Sequence, residues 1–324
     1  MRILYAGSPD CSAEVLNELN KLLEGTGNEI VAVLTNPPTA KGRHHDLTPT
    51  PTGAAAEELK IPVLTPEKLD ASAREAVSAF APDLLVCFAY GRIFGPKFMA
   101  LFPKGGINFH PSLLPLYRGC APVPAAIWNM EKETGFTVQR IAQKMDSGDI
   151  LAQKRYTMTG TENSDSLLHI AAQEGSTLIL ESILAIQNGT DKGTPQDDDK
   201  ATYSKMLTKE DGEIDWNRSA AQIDAAIRAC TPWPGAFTTV NGTVLKIIEA
   251  SVYDASKSGS SCKNEAGSAC PGTVIGMDKA QGIIFQTGDG LLAARTLQWQ
   301  AKKAMAFKDF LNGSRNFIGS VCKT

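Results

Sequence analysis

Aromatic side chains are sparse, at 7% of 324 residues, so the core must be mainly aliphatic and alanine-rich. No apolar run approaches the roughly 18–20 residues needed to span a bilayer. The N-terminus, MRILYAGSPD, reaches polar and turn residues too early for a secretory signal, so a cytoplasmic protein without a membrane partner is expected. The seven cysteines are odd in number and include no C-x-x-C pair, which points to neither a zinc site nor a disulfide framework. Only Cys262 and Cys270 lie close enough in sequence to pair, and a reducing compartment disfavours it. No G-x-G-x-x-G follows the first apolar run, and there is no Walker lysine motif and no H-E-x-x-H. A nicotinamide cofactor, nucleotide hydrolysis and zinc catalysis are thus unsupported, and no metal is expected. A large charge of one sign is also missing, the formal net charge being −3. Residues 1–203 carry 18 Lys and Arg against 24 Asp and Glu, whereas residues 204–324 carry 14 against 11. An acidic body with a mildly basic tail permits a polyanionic partner without requiring one.

What is present alternates strand and helix. Residues 1–7, 29–34, 83–88 and 106–109 read as buried strands, and their continuous apolar character suits a sheet covered on both faces. A helical pattern follows Ser8-Pro9-Asp10, and another runs over 164–186 until Asn188-Gly189 stops it. This order predicts an α/β domain with an open, mostly parallel, Rossmann-like sheet. Ligands then bind beyond the carboxyl ends of the strands, at residues 7–10, 89–92 and 110–119. Residues 36–53 form a Pro- and Gly-rich loop, long enough to be functional or mobile. A polar connector at 196–200 places the domain boundary near 204. Beyond it, a helix over 220–230 precedes short strands at 237–240, 243–249, 272–275, 282–285 and 291–297. Asn241-Gly242 is a hairpin turn signal. Five short strands predict a smaller OB-like β-barrel spanning 204–324, with residues 254–271 as an exposed Ser/Gly/Lys loop between strands.

The densest polar constellation on an apolar background is Asn108-Phe109-His110-Pro111-Ser112. In extended backbone, Asn108 and His110 project to the same side. An amide N–H beside an imidazole suits a developing oxyanion; a structural histidine beside a turn asparagine explains the residues equally well. The second feature is Met145-Asp146-Ser147-Gly148-Asp149. A carboxylate near His110 would orient the ring and favour its charged form, while a solvated Asx-type turn is the plainer reading. Sequence spacing alone does not bring Asp146 to His110. His44-His45 reads as solvated and His169 as structural, and Ser112 lacks a nucleophile-elbow context.

Asn108-x-His110 with Ser112-Leu113-Leu114-Pro115 and Met145-Asp146-Ser147-Gly148-Asp149 resembles the folate-dependent formyltransferases. Further matching stretches span nearly the whole chain. They include Ala6-Gly7-Ser8-Pro9-Asp10, Ala89-Tyr90-Gly91, Tyr117-Arg118-Gly119, Ile214-Asp215-Trp216, Pro232-Trp233-Pro234 and Lys302-Lys303-Ala304-Met305. The two-domain layout is similar to the branch acting on an aminoacyl-tRNA. A formyltransferase for a sugar amine or purine precursor is the alternative within enzymes, and a folate- or RNA-binding protein without turnover the alternative outside them. The resemblance implies transfer of the formyl group of 10-formyltetrahydrofolate to the α-amino nitrogen of methionine on initiator methionyl-tRNA. It implies Asn108, His110 and Asp146 as the catalytic residues, and a monomer is expected. It implies folate along Phe88, Ala89, Tyr90 and Gly91 and along Ser112, Leu113, Leu114 and Pro115. Backbone groups there would meet the pterin, with Ile93 and Leu113 as apolar contacts. It places the 36–53 loop at the tRNA acceptor end, with Arg43 as a basic contact. Lys205, Lys209, Lys302 and Lys303 become candidates for phosphate, although each alone reads as a solvated surface charge. His44-His45-Asp46, where more lysine would be expected, and the 254–271 insertion depart from the family pattern.

Overall fold

The four apolar runs become adjacent parallel strands in the computed structural model, which describes residues 1–41, 46–257, 269–314 and 316–323. The strands are β1 (Arg2–Ala6), β2 (Glu29–Leu34), β3 (Thr39–Lys41), β4 (Asp46–Thr48), β5 (Val63–Leu64), β6 (Leu84–Cys87), β7 (Gly106–His110), β8 (Arg118–Gly119), β9 (Glu133–Arg140), β10 (Ile150–Thr157) and β11 (Tyr203–Ser204). The main sheet runs β10-β9-β7-β6-β1-β2-β5. The strands from β7 to β5 pair in parallel, whereas β9 and β10 close one edge antiparallel. That edge has no clear signal in the sequence, because β9 and β10 mix polar with apolar residues. Leu84, Leu85 and Val86 of β6 are fully buried, as a strand covered on both faces requires.

Helices α1 (Asp10–Leu22), α2 (Pro51–Glu58), α3 (Ala71–Ser78), α4 (Pro96–Met99), α5 (Pro122–Trp128) and α6 (Ser164–Asn188) complete this half of the chain. Local chemistry starts them. Asp10 occupies the first turn of α1 and Lys21 its last, complementing the helix dipole. The Thr50 hydroxyl accepts from the Gly53 N–H to cap α2, and Asp70 does the same for α3 through Ala73. The 36–53 segment, expected as structureless loop, contains an antiparallel ribbon of β3 and β4 and the start of α2. Residues 42–45, and with them the candidate Arg43, lie outside the described residues.

The chain forms two compact units: residues 1–122, 133–157 and 167–205, and residues 123–132, 158–166 and 206–324. The second unit contains α7 (Ala220–Ala229), begun by a Ser219/Gln222 capping box, and α8 (Phe307–Asn312). Its strands are β12 (Phe237–Val240), β13 (Thr243–Val252), β14 (Val274–Asp278), β15 (Gly282–Gln286), β16 (Leu291–Trp299), β17 (Met305–Ala306) and β18 (Cys322–Lys323). They form one antiparallel sheet in the order β14-β15-β16-β13-β12-β18, with β17 on β16. A Thr273–Val321 bridge joins the two ends of that order, giving the sheet the continuity of a barrel. Its core holds Trp216 stacked on Phe285 at 5.1 Å, with the indole N–H donating to Thr238 Oγ1 at 3.1 Å. Among the described residues seven strands are present rather than five, since β17 and β18 are only two residues long. Residues 258–268, most of the expected 254–271 loop, lie outside the described residues.

Candidate functional site

β7 lies between β6 and β9, and its alternation places Asn108 and His110 on one side. In register, Asn108 is paired with Gln139 and His110 with Thr137 of β9. His110 is 5% exposed, so both ring nitrogens need an account. Nε2 stands 2.9 Å from the Tyr117 carbonyl, which can only accept, so this nitrogen carries a proton. Nδ1 faces Asp146 Oδ2 at 3.7 Å, within ion-pair range but longer than a hydrogen bond. Nδ1 is therefore the position that can gain and lose a proton beside a carboxylate.

Asp146 is delivered by the loop after β9 with φ at +51°, in the left-handed region. The Arg140 carbonyl lies 1.8 Å from where a Cβ on residue 148 would sit, so only glycine permits the loop to fold back there. The carboxylate is well supplied with donors. Oδ2 accepts from the Gly119 N–H at 2.8 Å, and Oδ1 from Gln139 Nε2 at 3.0 Å and, more weakly, Asn108 Nδ2 at 3.5 Å. The three residues singled out from the sequence thus form one cluster, built from two segments 36 residues apart. Asn108 Nδ2 has two hydrogens, so one N–H remains for a ligand oxygen.

Other residues at this site are not evident from the sequence. The Tyr117 carbonyl and Gly119 N–H are backbone groups, which leave no signature. Gln139 and Arg118 are buried polar residues, 1% and 2% exposed, hidden in β9 and in the short β8. Burial opposes the charge of Arg118, but hydrogen bonds to Asp198 and Tyr203 outweigh it and hold the guanidinium above its usual value.

The expected folate segments divide in two. Ser112 and Leu114 are buried and turned inward. Ser112 Oγ donates to the Leu116 carbonyl at 2.7 Å, and the Ser112 carbonyl accepts from Thr137 Oγ1 at 2.6 Å. The carbonyls of Leu113, Leu114 and Pro115 likewise have internal donors, from Leu116, Gln153 and Thr202. At the exit of β6, Phe88 is buried edge-on to Phe109 at 4.9 Å. Ala89 and Gly91 follow with φ of +53° and +80°, and Ile93 is 79% exposed. Tyr90 packs against Phe94, and its buried hydroxyl has no hydrogen-bond partner among the described residues. Burial pushes that phenol up, partly countered by Arg92. Lys205 in the first unit and Lys209, Lys302 and Lys303 in the second are all exposed. No cluster of three or more metal-ligating side chains occurs among the described residues, and no helix there is long and apolar enough to cross a membrane.

Residues 1–183 match the model of the formyl transferase family, and residues 206–315 match that of the formyl transferase C-terminal domain. The methionyl-tRNA formyltransferase of Treponema denticola is 46% identical over 98% of this chain and 98% of its own. Among solved structures, methionyl-tRNA formyltransferase from Clostridium thermocellum superimposes with a TM-score of 0.57 at 16% identity, over 79% of this chain and 95% of that one. HypX from Aquifex aeolicus, solved in complex with tetrahydrofolic acid, superimposes with a TM-score of 0.65 at 17% identity. That match covers 98% of this chain but 48% of the HypX chain, and both structural likenesses speak to fold alone.

Proposed function

The chain belongs to the formyl transferase family, and from that membership we propose that it transfers a formyl group from 10-formyltetrahydrofolate to the α-amino group of methionine on initiator methionyl-tRNA. The observation that carries this reading is the convergence of Asn108, His110 and Asp146, with His110 Nδ1 and Asp146 Oδ2 at 3.7 Å. A module that only bound folate or RNA would have no need of that arrangement. The full-length likeness to the Treponema denticola enzyme favours methionyl-tRNA over a small amine as acceptor.

The β6 exit fits the donor, because the Tyr90 hydroxyl, which has no partner among the described residues, supplies a polar atom inside an apolar setting, and Ala89 and Gly91 on either side of it are exposed. Ile93 offers apolar surface beside it. Folate supplies the formyl group when bound. The methionyl amine attacks the formyl carbon, forming the new N–C bond as negative charge gathers on the formyl oxygen. Asn108 donates its remaining N–H to that oxygen. His110, protonated at Nδ1 and held by Asp146, places positive charge beside it. His110 gives its Nδ1 proton to the departing N10 nitrogen as the old C–N bond breaks, and its freed Nδ1 takes up the proton released by the attacking amine.

Residues 1–203 carry this chemistry in our reading and meet the acceptor end of the tRNA through Arg43, while residues 204–324 hold the tRNA, with Lys205, Lys209, Lys302 and Lys303 meeting phosphate. The protein works as a cytoplasmic monomer. The test is incubation with 10-formyltetrahydrofolate and methionyl-tRNA, scoring N-formylmethionine after deacylation. Formylation of initiator methionyl-tRNA is expected, and transfer only to free amines or sugar amines would overturn the acceptor assignment.

A further inference from the structure

Behind Asp146 stands a row of side chains whose donor and acceptor ends are all fixed by one residue. Arg118 is buried and can only donate. Its Nε and Nη2 reach one oxygen, Gln196 Oε1, at 3.0 and 2.8 Å, while Nη2 also meets Asp198 Oδ1 at 2.8 Å. That contact decides which end of the Gln196 amide is oxygen, an assignment otherwise ambiguous for an amide. The Gln196 NH2 group must then face the other way. There it meets three acceptors: the Gly148 carbonyl at 2.7 Å, the Asp146 carbonyl at 2.9 Å and Gln139 Oε1 at 3.1 Å. With its oxygen used in that contact, Gln139 presents Nε2 to Asp146 Oδ1 at 3.0 Å. An orientation set by Arg118 is thereby handed through two amides to the carboxylate facing His110.

Gln196 also holds the backbone of the Asp146 loop directly. Asp146 sits at a positive φ, a strained conformation for a residue with a side chain that persists only where its surroundings over-determine it. The two carbonyls that Gln196 grips, of residues 146 and 148, bracket the turn. The segment bearing Gln196 is itself stitched to the His110 side. The Thr202 carbonyl accepts from the Arg118 N–H at 2.8 Å, and Thr202 Oγ1 from the Tyr117 N–H at 2.8 Å. Tyr117 in turn gives its carbonyl to His110 Nε2. One short segment, residues 196–202, thus braces both members of the His110–Asp146 pair.

We infer that Gln196 and Arg118 are positioning residues for formyl transfer, acting through Gln139 and the Asp146 loop to keep the Asp146 carboxylate oriented toward His110. The inference rests on the catalytic reading proposed above. Gln196→Met keeps side-chain length and removes every hydrogen bond. Gln196→Glu keeps an acceptor for Arg118 but turns the donor end into a carboxylate facing three acceptors. Misplacement by about 1 Å at a reacting group costs up to about 10²-fold. Both variants should therefore lose about 10- to 100-fold in kcat while the KM values for folate and methionyl-tRNA stay within about twofold. Thermal unfolding separates folded variants from unfolded ones. Independently of turnover, the 15N signals of the His110 ring should move in both variants.

A folded Gln196→Met protein with wild-type kcat and unmoved His110 signals would overturn the proposal, as would parallel changes in kcat and both KM values. Should Gln196→Met fail to fold, Gln139→Leu, which cuts the same row one residue nearer Asp146, must give the same kcat loss and ring perturbation; wild-type values there overturn it equally. If the wild-type protein formylates no methionyl-tRNA, the functional reading fails while the ring signals still decide the positioning role.

Discussion

His110 is held from two sides: Nε2 is tied to the Tyr117 carbonyl at 2.9 Å, and Nδ1 looks across 3.7 Å to Asp146 Oδ2. The first contact fixes the ring plane and the second leaves room for a proton between ring and carboxylate. The two contacts arise from different segments, so each can be tested alone.

Asp146→Asn removes the negative charge while keeping the shape. General acid–base contributions of this kind are typically worth about 10²–10⁴ in rate, and kcat for formylation should fall within that range. His110→Ala should lose at least as much while folate still binds, as measured by equilibrium dialysis. An unchanged rate in either variant would remove the pair from the mechanism.

Asn108→Ala deletes the donor proposed for the formyl oxygen. A loss of about 10²–10³ in kcat is expected for one oxyanion donor, with KM for methionyl-tRNA unaffected. A purely raised KM would assign Asn108 to binding instead.

Replacing Lys302 and Lys303 together by glutamate should raise KM for methionyl-tRNA and leave KM for folate alone. Because neutralising a phosphate releases counterions, the slope of log affinity against log salt should flatten by roughly one for each phosphate the variant no longer neutralises. An identical salt slope would place these lysines away from the tRNA.

Burial pushes the thiols of Cys11, Cys87, Cys230 and Cys322 from 9.0 up to about 12. The unfolded chain therefore loses these protons first. The stability they confer is fully present below about pH 9 and is lost as pH rises from there toward 12. The urea midpoint should fall steadily above pH 9, and Cys120 and Cys270, both exposed, should outpace the half-buried Cys11 and the buried Cys87, Cys230 and Cys322 with a thiol reagent at pH 8.

Gly175 on α6 lies against Phe109, whose ring atoms sit 2.5–2.9 Å from where a Cβ would be. Gly175→Ala should destabilise the protein by about 1–3 kcal/mol through overpacking. Since Phe109 stands between Asn108 and His110, kcat should fall as well. A variant with unchanged unfolding temperature would show that the ring moves aside freely.

The parallel half of the sheet is legible because β6 is apolar throughout and β1 and β2 are so after one charged first residue, Arg2 and Glu29, a pattern that suits strands covered on both faces. The β9–β10 edge is not legible, since residues such as Gln139, Lys154 and Arg155 break the apolar pattern. Gln139 is polar because it serves Asp146, so the function itself obscures the strand. Asn108 and His110 announce themselves by spacing within one strand. Their meeting with Asp146 depends on the β7–β9 register and on a left-handed turn, and neither is written in local sequence. Arg118 is visible only as part of a matching stretch, because nothing local foretells that an arginine between a tyrosine and a glycine will be 2% exposed.

The Thr273–Val321 bridge that joins the two ends of the second sheet puts the chain's last residues in an unusual position of responsibility. Clipping away residues 318–324 would remove few buried side chains, yet it would uncover the flank of β12 and the flank of β14 at once. Two bare rows of peptide groups on the same molecule are complementary to those of its neighbours. Such a trimmed protein would be prone to link head to tail into chains, so a nick in the tail would show itself as loss of solubility before any loss of chemistry.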